Sequence, residues 1–379
     1  MEPYIEKIVN EIHCSKLKIC LVVAGAGNQA VSWLLNVPGA SNTILDISIP
    51  YSENAMSEIL DGLPESIVSQ TAACSMAVRS FINAKRYCET ETEVLGISCT
   101  ATIATNREKR GDHRVVIGVC SQNKLRTYSL ILTKGARNRE QEDLVVSTLL
   151  LHVIAQYSGT EFDLDNMLMN EEIVELHDIS AFQCLNMVRD GDIPFVLLGP
   201  DQTMNFSLPP IESSVIFPGS FNPLHAGHKA LKKVMGNEFG LSTVYETSIV
   251  NVDKPPLAID DIMSKVSQFE FSEKLLITNQ ATFVGKAKHL KKYRFLVGWD
   301  TAKRIIDPKY YSDERDMLKK LGTMLGNGNR FYVAGRLDDG VFKGIQDLDL
   351  PEGLSDLFVG IPEELFRADI SSTEIRQNE

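Results

Sequence analysis

A twelve-residue stretch, 217–228, carries two histidines, His225 and His228, beside a glycine-serine turn. The residues before it are apolar and favour a strand, Pro218 and Gly219 interrupt that strand, and apolar residues recur at helical spacing after it. The histidines therefore lie where a helix begins. Free backbone amides and the positive end of the helix dipole favour an anion there, and two imidazoles add donors near neutral pH. The stretch predicts a phosphate-binding site.

The segment 370–376, near the end of the sequence, reads Ile-Ser-Ser-Thr-Glu-Ile-Arg and predicts a second half of the same site. Ser371 or Ser372 can cap a short helix, which leaves amides and the hydroxyls of Ser372 and Thr373 for the outer phosphates of a nucleotide. Arg376, one turn later, can bind the same oxygens as a bidentate donor.

Together the two motifs carry a family resemblance. Gly-Ser-Phe-Asn-Pro-x-His-x-Gly-His at 219–228, paired with the terminal motif, resembles the nucleotidylyltransferase superfamily, and within it the nicotinate and nicotinamide mononucleotide adenylyltransferases. The resemblance covers residues 213–376. It implies a Rossmann-like domain with a mainly parallel sheet. It also implies transfer of an adenylyl group from ATP to a pyridine mononucleotide with release of pyrophosphate, in NAD biosynthesis.

Such a reaction needs no covalent enzyme intermediate, because the phosphate of the acceptor attacks the α-phosphorus of ATP directly. Catalysis then consists of aligning two anions and neutralising charge on the phosphorus. We expect His228 to contact the α-phosphate in the transition state and His225 the outer phosphates. Close approach of backbone to the nucleotide is expected at Gly219, Ser220, Phe221 and Gly227.

The middle of this domain supplies further candidates. Residues 295–300 predict a strand that ends in a glycine and an acid. The resemblance implies that Gly298 and Asp300 lie near the adenosine, with Asp300 on a ribose hydroxyl, while Trp299 can stack on a base or pack in the core. Lys254 and Arg336 are candidate contacts for substrate or phosphate.

The chemistry implies Mg²⁺ with ATP, held mainly by ATP oxygens and water, and no dedicated metal ligand is visible in the sequence. Zinc binding by His225 and His228 would need a third ligand nearby, and none is evident. We interpret the lysine-rich run 286–292 as a solvated face, with the alternative that it lines the path of an anionic nucleotide.

Length and composition limit the other possibilities. At 379 residues the chain is long enough for two domains, and its net charge of -12 argues against a nucleic-acid or membrane partner. Its apolar runs are shorter than the roughly 20 residues that cross a bilayer, so we expect a cytoplasmic protein. The seven cysteines are odd in number and form no C-x-x-C pair, which favours buried free thiols.

Alternation of predicted strands and helices indicates an α/β protein of two domains. We place a mixed α/β domain at 1–160, an ordered connector at 161–212 and a second α/β domain at 213–379. Within the connector, the acidic stretch 170–176 is predicted helical and residues 195–198 are predicted to form a strand.

In the first domain, Gly-Ala-Gly-Asn-Gln-Ala at 25–30 follows a predicted strand and precedes Asp46 by about twenty residues, which formally fits a dinucleotide-binding fingerprint. The predicted helix stops at Asn36-Val-Pro-Gly, which is short for the usual crossover, so this match is weak.

Three stretches, 35–41, 49–54 and 96–102, instead resemble the CinA C-terminal domain family over roughly residues 5–157. Active members of that family deamidate nicotinamide mononucleotide with a presumed serine nucleophile in a Glu-Ser-x-Thr-Gly-Gly turn. Val23 and Ala24 occupy the Glu-Ser positions here, and a methyl group cannot attack an amide carbonyl. Tyr51 matches the pattern of that family, but the segment 100–109 stands where the family pattern has a glycine-rich loop. We therefore expect no deamidase activity, and a scaffold, nucleotide sensor or homo-oligomerisation unit instead.

Two further functions stay open from the sequence. The same fold could serve a cytidylyltransferase or a phosphopantetheine adenylyltransferase that acts on another phosphorylated substrate. Alternatively, both domains could bind nucleotides without catalysis. The Ile-Ser-Ser-Thr-x-Ile-Arg motif favours the pyridine group among the enzymes, and the intact pair of histidines favours catalysis over sensing.

Overall fold

The computed structural model describes residues 1–88, 92–106, 110–164, 167–251, 255–338 and 340–367. The chain forms two compact units. Unit 1 comprises Met1–Met187 and Met204–Ser207, and unit 2 comprises Val188–Thr203 and the chain from Leu208 onward. The segment 161–212, interpreted above as a connector, is therefore divided between the units, and each unit takes strands from it.

Unit 1 is built on a six-stranded mixed sheet in the order β2-β1-β3-β4-β5-β6. Strand β1 is parallel to both of its neighbours, and the pairs from β3 to β6 are antiparallel. The strands are β1 Lys18–Ala24, β2 Ile44–Ser48, β3 Val94–Thr102, β4 His113–Cys120, β5 Leu125–Leu132 and β6 Glu175–Asp178. The helices are α1 Pro3–Cys14, α2 Asn28–Asn36, α3 Ala40–Thr43, α4 Glu53–Leu60, α5 Gln70–Tyr87, α6 Arg139–Ser158 and α7 Ala181–Asp190.

Two glycines explain how closely α5 packs on this sheet. A Cβ at Gly96 would clash with the backbone of Ala77, and one at Gly118 would lie 2.5 Å from the carbonyl oxygen of Ala73. On the other side, α1, α2 and α6 contribute to the main apolar cluster. The sheet is therefore buried between helical layers, as its long apolar strands predict.

The predicted helix at 170–176 is wrong. The chain there makes a turn and then enters β6, whose residues Glu175 to Asp178 pair antiparallel with β5. All four residues of β6 are exposed, so its polar composition reflects an edge strand. Two carboxylates of this part of the chain are paired with arginines, Glu172 with Arg137 and Asp178 with Arg126.

All seven cysteines are free, as predicted. Five are buried, whereas Cys14 is exposed and Cys88 is intermediate, so the prediction of burial is wrong for Cys14. Burial raises the pKa of the buried Cys184 thiol to about 12. Within the described chain, no helix combines the length and apolarity that crossing a membrane requires.

Unit 2 contains a mainly parallel sheet. Seven strands lie in the order β16-β13-β12-β9-β10-β11-β7, and only β7 runs antiparallel to its neighbour among them. Strands β14 and β15 form a separate antiparallel pair. The strands of unit 2 are β7 Phe195–Leu198, β9 Ser214–Pro218, β10 Ser242–Ser248, β11 Leu275–Thr278, β12 Arg294–Gly298, β13 Arg330–Ala334, β14 Arg336–Asp338, β15 Val341–Lys343 and β16 Phe358–Ile361. The short strand β8, Met204–Asn205, belongs to the residues of unit 1.

The helices of unit 2 are α8 Ala226–Phe239, α9 Ile259–Val266, α10 Phe283–His289, α11 Trp299–Ile305 and α12 Glu314–Gly326. From β9 the chain adds β10 and β11 on one side, and then returns to add β12, β13 and β16 on the other side. The strand order therefore reverses beside β9. In open α/β sheets, ligands bind outside the carboxyl ends of the strands at such a point.

Candidate active site

The turn between β9 and α8 is tied to the neighbouring strand β10. The amide of Gly219 donates to the carbonyl of Glu246 at 2.9 Å, and the hydroxyl of Thr247 donates to the carbonyl of Gly219 at 2.7 Å. A Cβ at Gly219 would lie 2.7 Å from the ring of Phe221. Glycine is thus required here by the packing of Phe221, a reason that the sequence did not indicate.

Phe221 is at the centre of an aromatic cluster under the turn. It has a φ of +43°, a conformation that is uncommon for residues other than glycine, and its side chain is buried. Its ring contacts the rings of Phe217, Tyr245, Phe269 and His228 at centroid distances of 5.1–5.9 Å. Burial of this ring stabilises an otherwise unfavourable backbone conformation.

The two histidines lie where the sequence predicts, at the start of α8. His225 is the N-cap residue and His228 is in the first turn, and their rings stack with centroids 3.7 Å apart. The backbone amide of His225 donates to Nδ1 of His228 at 3.2 Å. In the neutral ring, therefore, Nε2 of His228 carries the proton and is the donor that a ligand could use.

Both imidazoles favour the neutral form in the free protein. Burial lowers the pKa of His228 to about 4, with a smaller contribution from the nearby His225. Burial also lowers the pKa of His225. Between the histidines, a Cβ at Gly227 would lie 3.1 Å from the ring of His225. The glycine therefore makes room for an imidazole, in addition to the room for nucleotide that the sequence suggested.

A pocket of about 640 Å³ opens beside this turn. It is formed by the turn itself, by the carboxyl end of β10 and the chain after it, and by α9 and the start of α10. Its main polar lining residues are Ser220, Asn222, Glu246, Thr247, Ser248, Asn251, Asp261, Lys265 and Lys286. A volume of this size is typical of small-molecule sites.

The pocket contains a buried ion pair. Nζ of Lys286 contacts both carboxylate oxygens of Glu246, and the hydroxyl of Thr278 donates to Oε1 of the same carboxylate at 2.6 Å. Lys286 and Glu246 are 5% and 0% exposed at their side chains. The interpretation of the run 286–292 as a solvated face is thus wrong for Lys286, because a carboxylate from β10 compensates its burial.

The strand-to-helix junction after β12 brings Gly298, Trp299 and Asp300 to the same edge of the sheet as the histidine turn, because β9 and β12 are parallel neighbours. Trp299 is only 6% exposed, which favours packing over base stacking among the two roles predicted for it. Asp300 and Arg336, predicted separately as ribose and phosphate contacts, form an ion pair with each other. Both remain partly exposed.

Five predicted site residues lie outside the described residues. They are Lys254 and the terminal-motif residues Ser371, Ser372, Thr373 and Arg376. Their roles stay predictions.

Sequence reasoning missed Glu246, Thr247 and Lys265. One signal for Lys265 was available: it shares the buried face of α9 with Ile259, Ile262 and Val266. A lysine at a core position of an amphipathic helix needs a polar partner, and such positions indicate functional candidates.

Unit 1 contains a comparable turn after β1, but its amides are occupied. Oδ1 of Asp143, from α6, accepts from the amides of Gly27 at 2.8 Å and Asn28 at 3.4 Å, and from the side-chain amide of Asn28. A dinucleotide pyrophosphate would need these donors, so the carboxylate disfavours the fingerprint interpretation. Val23 and Ala24 are buried in β1, and Tyr51 is 76% exposed.

No cluster of three or more histidine, cysteine or acidic side chains that could hold a metal ion occurs among the residues that the structure describes.

Unit 2 is an α/β domain whose histidine-bearing turn lies at the point where the strand order reverses. The sequence profile of the cytidylyltransferase-like family matches residues 216–378. The C-terminal part of the chain is therefore a cytidylyltransferase-like domain of the nucleotidylyltransferase superfamily, which supports nucleotidyltransferase activity.

Solved structures similar to the N-terminal part are CinA-family proteins. A competence or damage-inducible protein from Enterobacter asburiae is 12% identical, with 43% of this chain and 98% of that chain covered and a TM-score of 0.32. A competence/damage inducible protein from Agrobacterium tumefaciens is 15% identical, with 40% and 95% covered and a TM-score of 0.30. TM-scores this low carry no argument about function. Curated protein sequences give no match.

Proposed function

We propose that this protein transfers an adenylyl group from ATP to nicotinate or nicotinamide mononucleotide, with release of pyrophosphate. The observation that carries the proposal is the stacked pair His225 and His228 at the start of α8, directly after the central strand β9 and beside the pocket-lining turn. Pairs of donors at a helix N-terminus suit the charge of a triphosphate. The choice of a pyridine mononucleotide rests on the resemblance of the two sequence motifs.

In this reaction an oxygen of the acceptor phosphate forms a bond to the α-phosphorus of ATP, and the bond from that phosphorus to the bridging oxygen of pyrophosphate breaks. His228 would donate from Nε2 to an α-phosphate oxygen as negative charge builds up on it. His225 would bind the outer phosphates, which leave as pyrophosphate. Magnesium would enter with ATP and neutralise phosphate charge.

Neutral histidines fit this role better than permanently charged ones. Because burial lowers the pKa of both rings, the two histidines carry little positive charge at neutral pH in the free protein. Approach of a polyanion raises the pKa of a nearby imidazole. The two histidines would therefore take up protons as the nucleotide binds, which places positive charge beside its phosphates.

The test is pyrophosphate release from the full chain with magnesium. ATP and CTP are each paired with nicotinate mononucleotide, nicotinamide mononucleotide, phosphopantetheine, phosphocholine and phosphoethanolamine. Release with ATP and a pyridine mononucleotide is the expected result. Release only with another pair, or none with any pair, would contradict the proposal.

Cytidylyl transfer to a phosphorylated alcohol is the second candidate, and one observation favours it: the matching family profile is that of cytidylyltransferase-like proteins. Pyrophosphate release with CTP and phosphocholine or phosphoethanolamine, without release from ATP, would establish this second candidate.

For unit 1 we propose a role without deamidation, because Val23 and Ala24 stand where the resembled family has its Glu-Ser pair. We also propose that this unit mediates self-association, from the same resemblance. Ammonia release from nicotinamide mononucleotide and light scattering of the full chain test the two statements. Ammonia release would contradict the first, and a monomer at micromolar concentration the second.

A further inference from the structure

The segment that contains α9 forms hydrogen bonds with the turn 219–224, between β9 and α8, from one side. Nζ of Lys265 donates to the carbonyl of Ser220 at 2.6 Å. Nε2 of Gln268 donates to the carbonyl of Phe221 at 3.3 Å, and Oε1 of Gln268 accepts from the amide of Leu224 at 2.8 Å. Two side chains thus fasten two successive carbonyls and one amide of a short turn.

Fastened carbonyls determine where the partner amides point. Within a planar trans peptide unit, C=O and N–H point in opposite directions. The carbonyl of Ser220 shares its peptide unit with the amide of Phe221, and the carbonyl of Phe221 shares its unit with the amide of Asn222. Because both carbonyls point to Lys265 and Gln268, both amides point away from them. In the part of the chain that the structure describes, neither amide donates a hydrogen bond.

The backbone conformation is consistent with an anion site. Successive backbone amides of a turn can form a concave site for an anion. Phe221 supplies a left-handed φ of +43° without being glycine. A conformation that the residue type disfavours persists only where the surroundings impose it, and such positions concentrate at functional sites.

The identity of Lys265 adds an independent argument. Its side chain lies on the buried face of α9 and also lines the pocket, and burial lowers its pKa. If the position served only to stabilise the fold, an apolar side chain of similar length would avoid the desolvation of an ammonium group. The presence of a lysine at position 265 is thus better explained by its hydrogen bond to the carbonyl of Ser220.

We propose that Lys265 and Gln268 are positioning residues that fix the amides of Phe221 and Asn222 as a preorganised pair of donors for a phosphate group of the nucleotide. This inference rests on the proposed function, because it assigns the anion to that reaction's nucleotide. Preorganised donors are effective because they need no reorientation as charge develops on the phosphate.

The test compares Lys265→Met, Lys265→Arg and Gln268→Leu in the full chain, with Lys233→Met, an exposed lysine of α8, as the matched control. The first readout is binding of inorganic tripolyphosphate by calorimetry, which needs no acceptor. We expect Lys265→Met to weaken binding about tenfold or more, Lys265→Arg to restore most of the affinity, and Gln268→Leu to fall between them. The control stays at the wild-type value.

Turnover and stability separate positioning from a structural role. For Lys265→Met we expect a kcat lowered by about 10²-fold, with an unchanged or raised unfolding midpoint. Wild-type-like tripolyphosphate binding by both Lys265→Met and Gln268→Leu would overturn the inference, as would wild-type protein that binds no tripolyphosphate. Failure of the wild type to release pyrophosphate with any acceptor would instead overturn the proposed function, and the binding series would still report on the turn.

Discussion

The turns after β1 and after β9 each join a parallel strand to a helix, and they differ in which backbone groups the protein itself occupies. After β1, the amides of Gly27 and Asn28 are bound by the carboxylate of Asp143. After β9, the turn is held by its carbonyls, and the helix begins with two histidines. A helix start is an anion site in either case. The difference is that unit 1 supplies the anion from its own chain, whereas in unit 2 we propose that a phosphate of the nucleotide takes this position.

The two units also differ in how they use a buried glutamate. In unit 1, Glu142 accepts from Nδ1 of His113 at 2.8 Å and from the amide of Ala104, so it fastens a loop. In unit 2, Glu246 neutralises Lys286 at the pocket. Buried carboxylates need such partners wherever they occur. Of these two arrangements, the one in unit 2 lines the pocket beside the histidine turn.

The largest effect should come from the histidine turn. Substituting His228 by Ala should lower kcat about 10³-fold while ATP still binds, because a donor to the transition state is lost. Pyrophosphate release measures the effect. The matched change at the helix start of unit 1, Asn28→Ala, should leave turnover unchanged. Equal loss in both variants would remove the contrast between the two turns.

Breaking the buried pair of unit 2 should strongly destabilise the protein. Lys286→Met leaves Glu246 buried without its cation, which costs about 3–5 kcal/mol of unfolding free energy. His113→Leu in unit 1 should cost less, about 1–3 kcal/mol, because Glu142 keeps its bond to Ala104. Urea denaturation gives both values. The double variant Lys286→Met with Glu246→Leu should recover most of the loss; if it does not, the ion pair is not the cause.

Removing the internal anion of unit 1 should make the turns more alike. Asp143→Ala frees the amides of Gly27 and Asn28 and should cost about 1 kcal/mol, as for loss of a helix cap. Added phosphate should then raise the unfolding midpoint of the variant more than that of the wild type. An identical response to phosphate in both proteins would show that Asp143 does not keep an external anion from the amides of Gly27 and Asn28.

The last prediction concerns pH. Because the folded-state pKa of His228 is about 4, below the ordinary value of 6.5, the unfolded chain binds more protons between these values. The contribution of His228 to stability is therefore complete above pH 6.5 and is lost as the pH falls towards 4. Thermal unfolding should show a shallower pH dependence in His228→Gln than in the wild type. Parallel curves would indicate that this ring is not buried in solution.

Local sequence patterns were sufficient for most of the secondary structure. The strand at Phe195–Leu198 was predicted with the observed bounds, because apolar runs and breakers are local signals. The stretch 170–176 failed because its strand exists only by pairing with β5, a contact between distant residues. Glu172 in that stretch is paired with Arg137, a partner 35 positions away that the local pattern could not indicate.

By itself the sequence determined the α/β class and the histidine turn at a helix start, because each follows from adjacent residues. Only the tertiary structure decided which charges meet. In the folded chain Asp300 forms an ion pair with Arg336, and Lys286 forms a buried ion pair with Glu246. Lys265 donates to the carbonyl of Ser220, and Asp143 accepts from the amide of Gly27 in the turn after β1. These partners lie between 36 and 116 positions apart in the chain. The role of a charged residue depends on a partner within a few ångströms, because salt at about 0.1 M screens interactions between exposed charges over about 10 Å. The sequence does not show which distant residue folding brings that close.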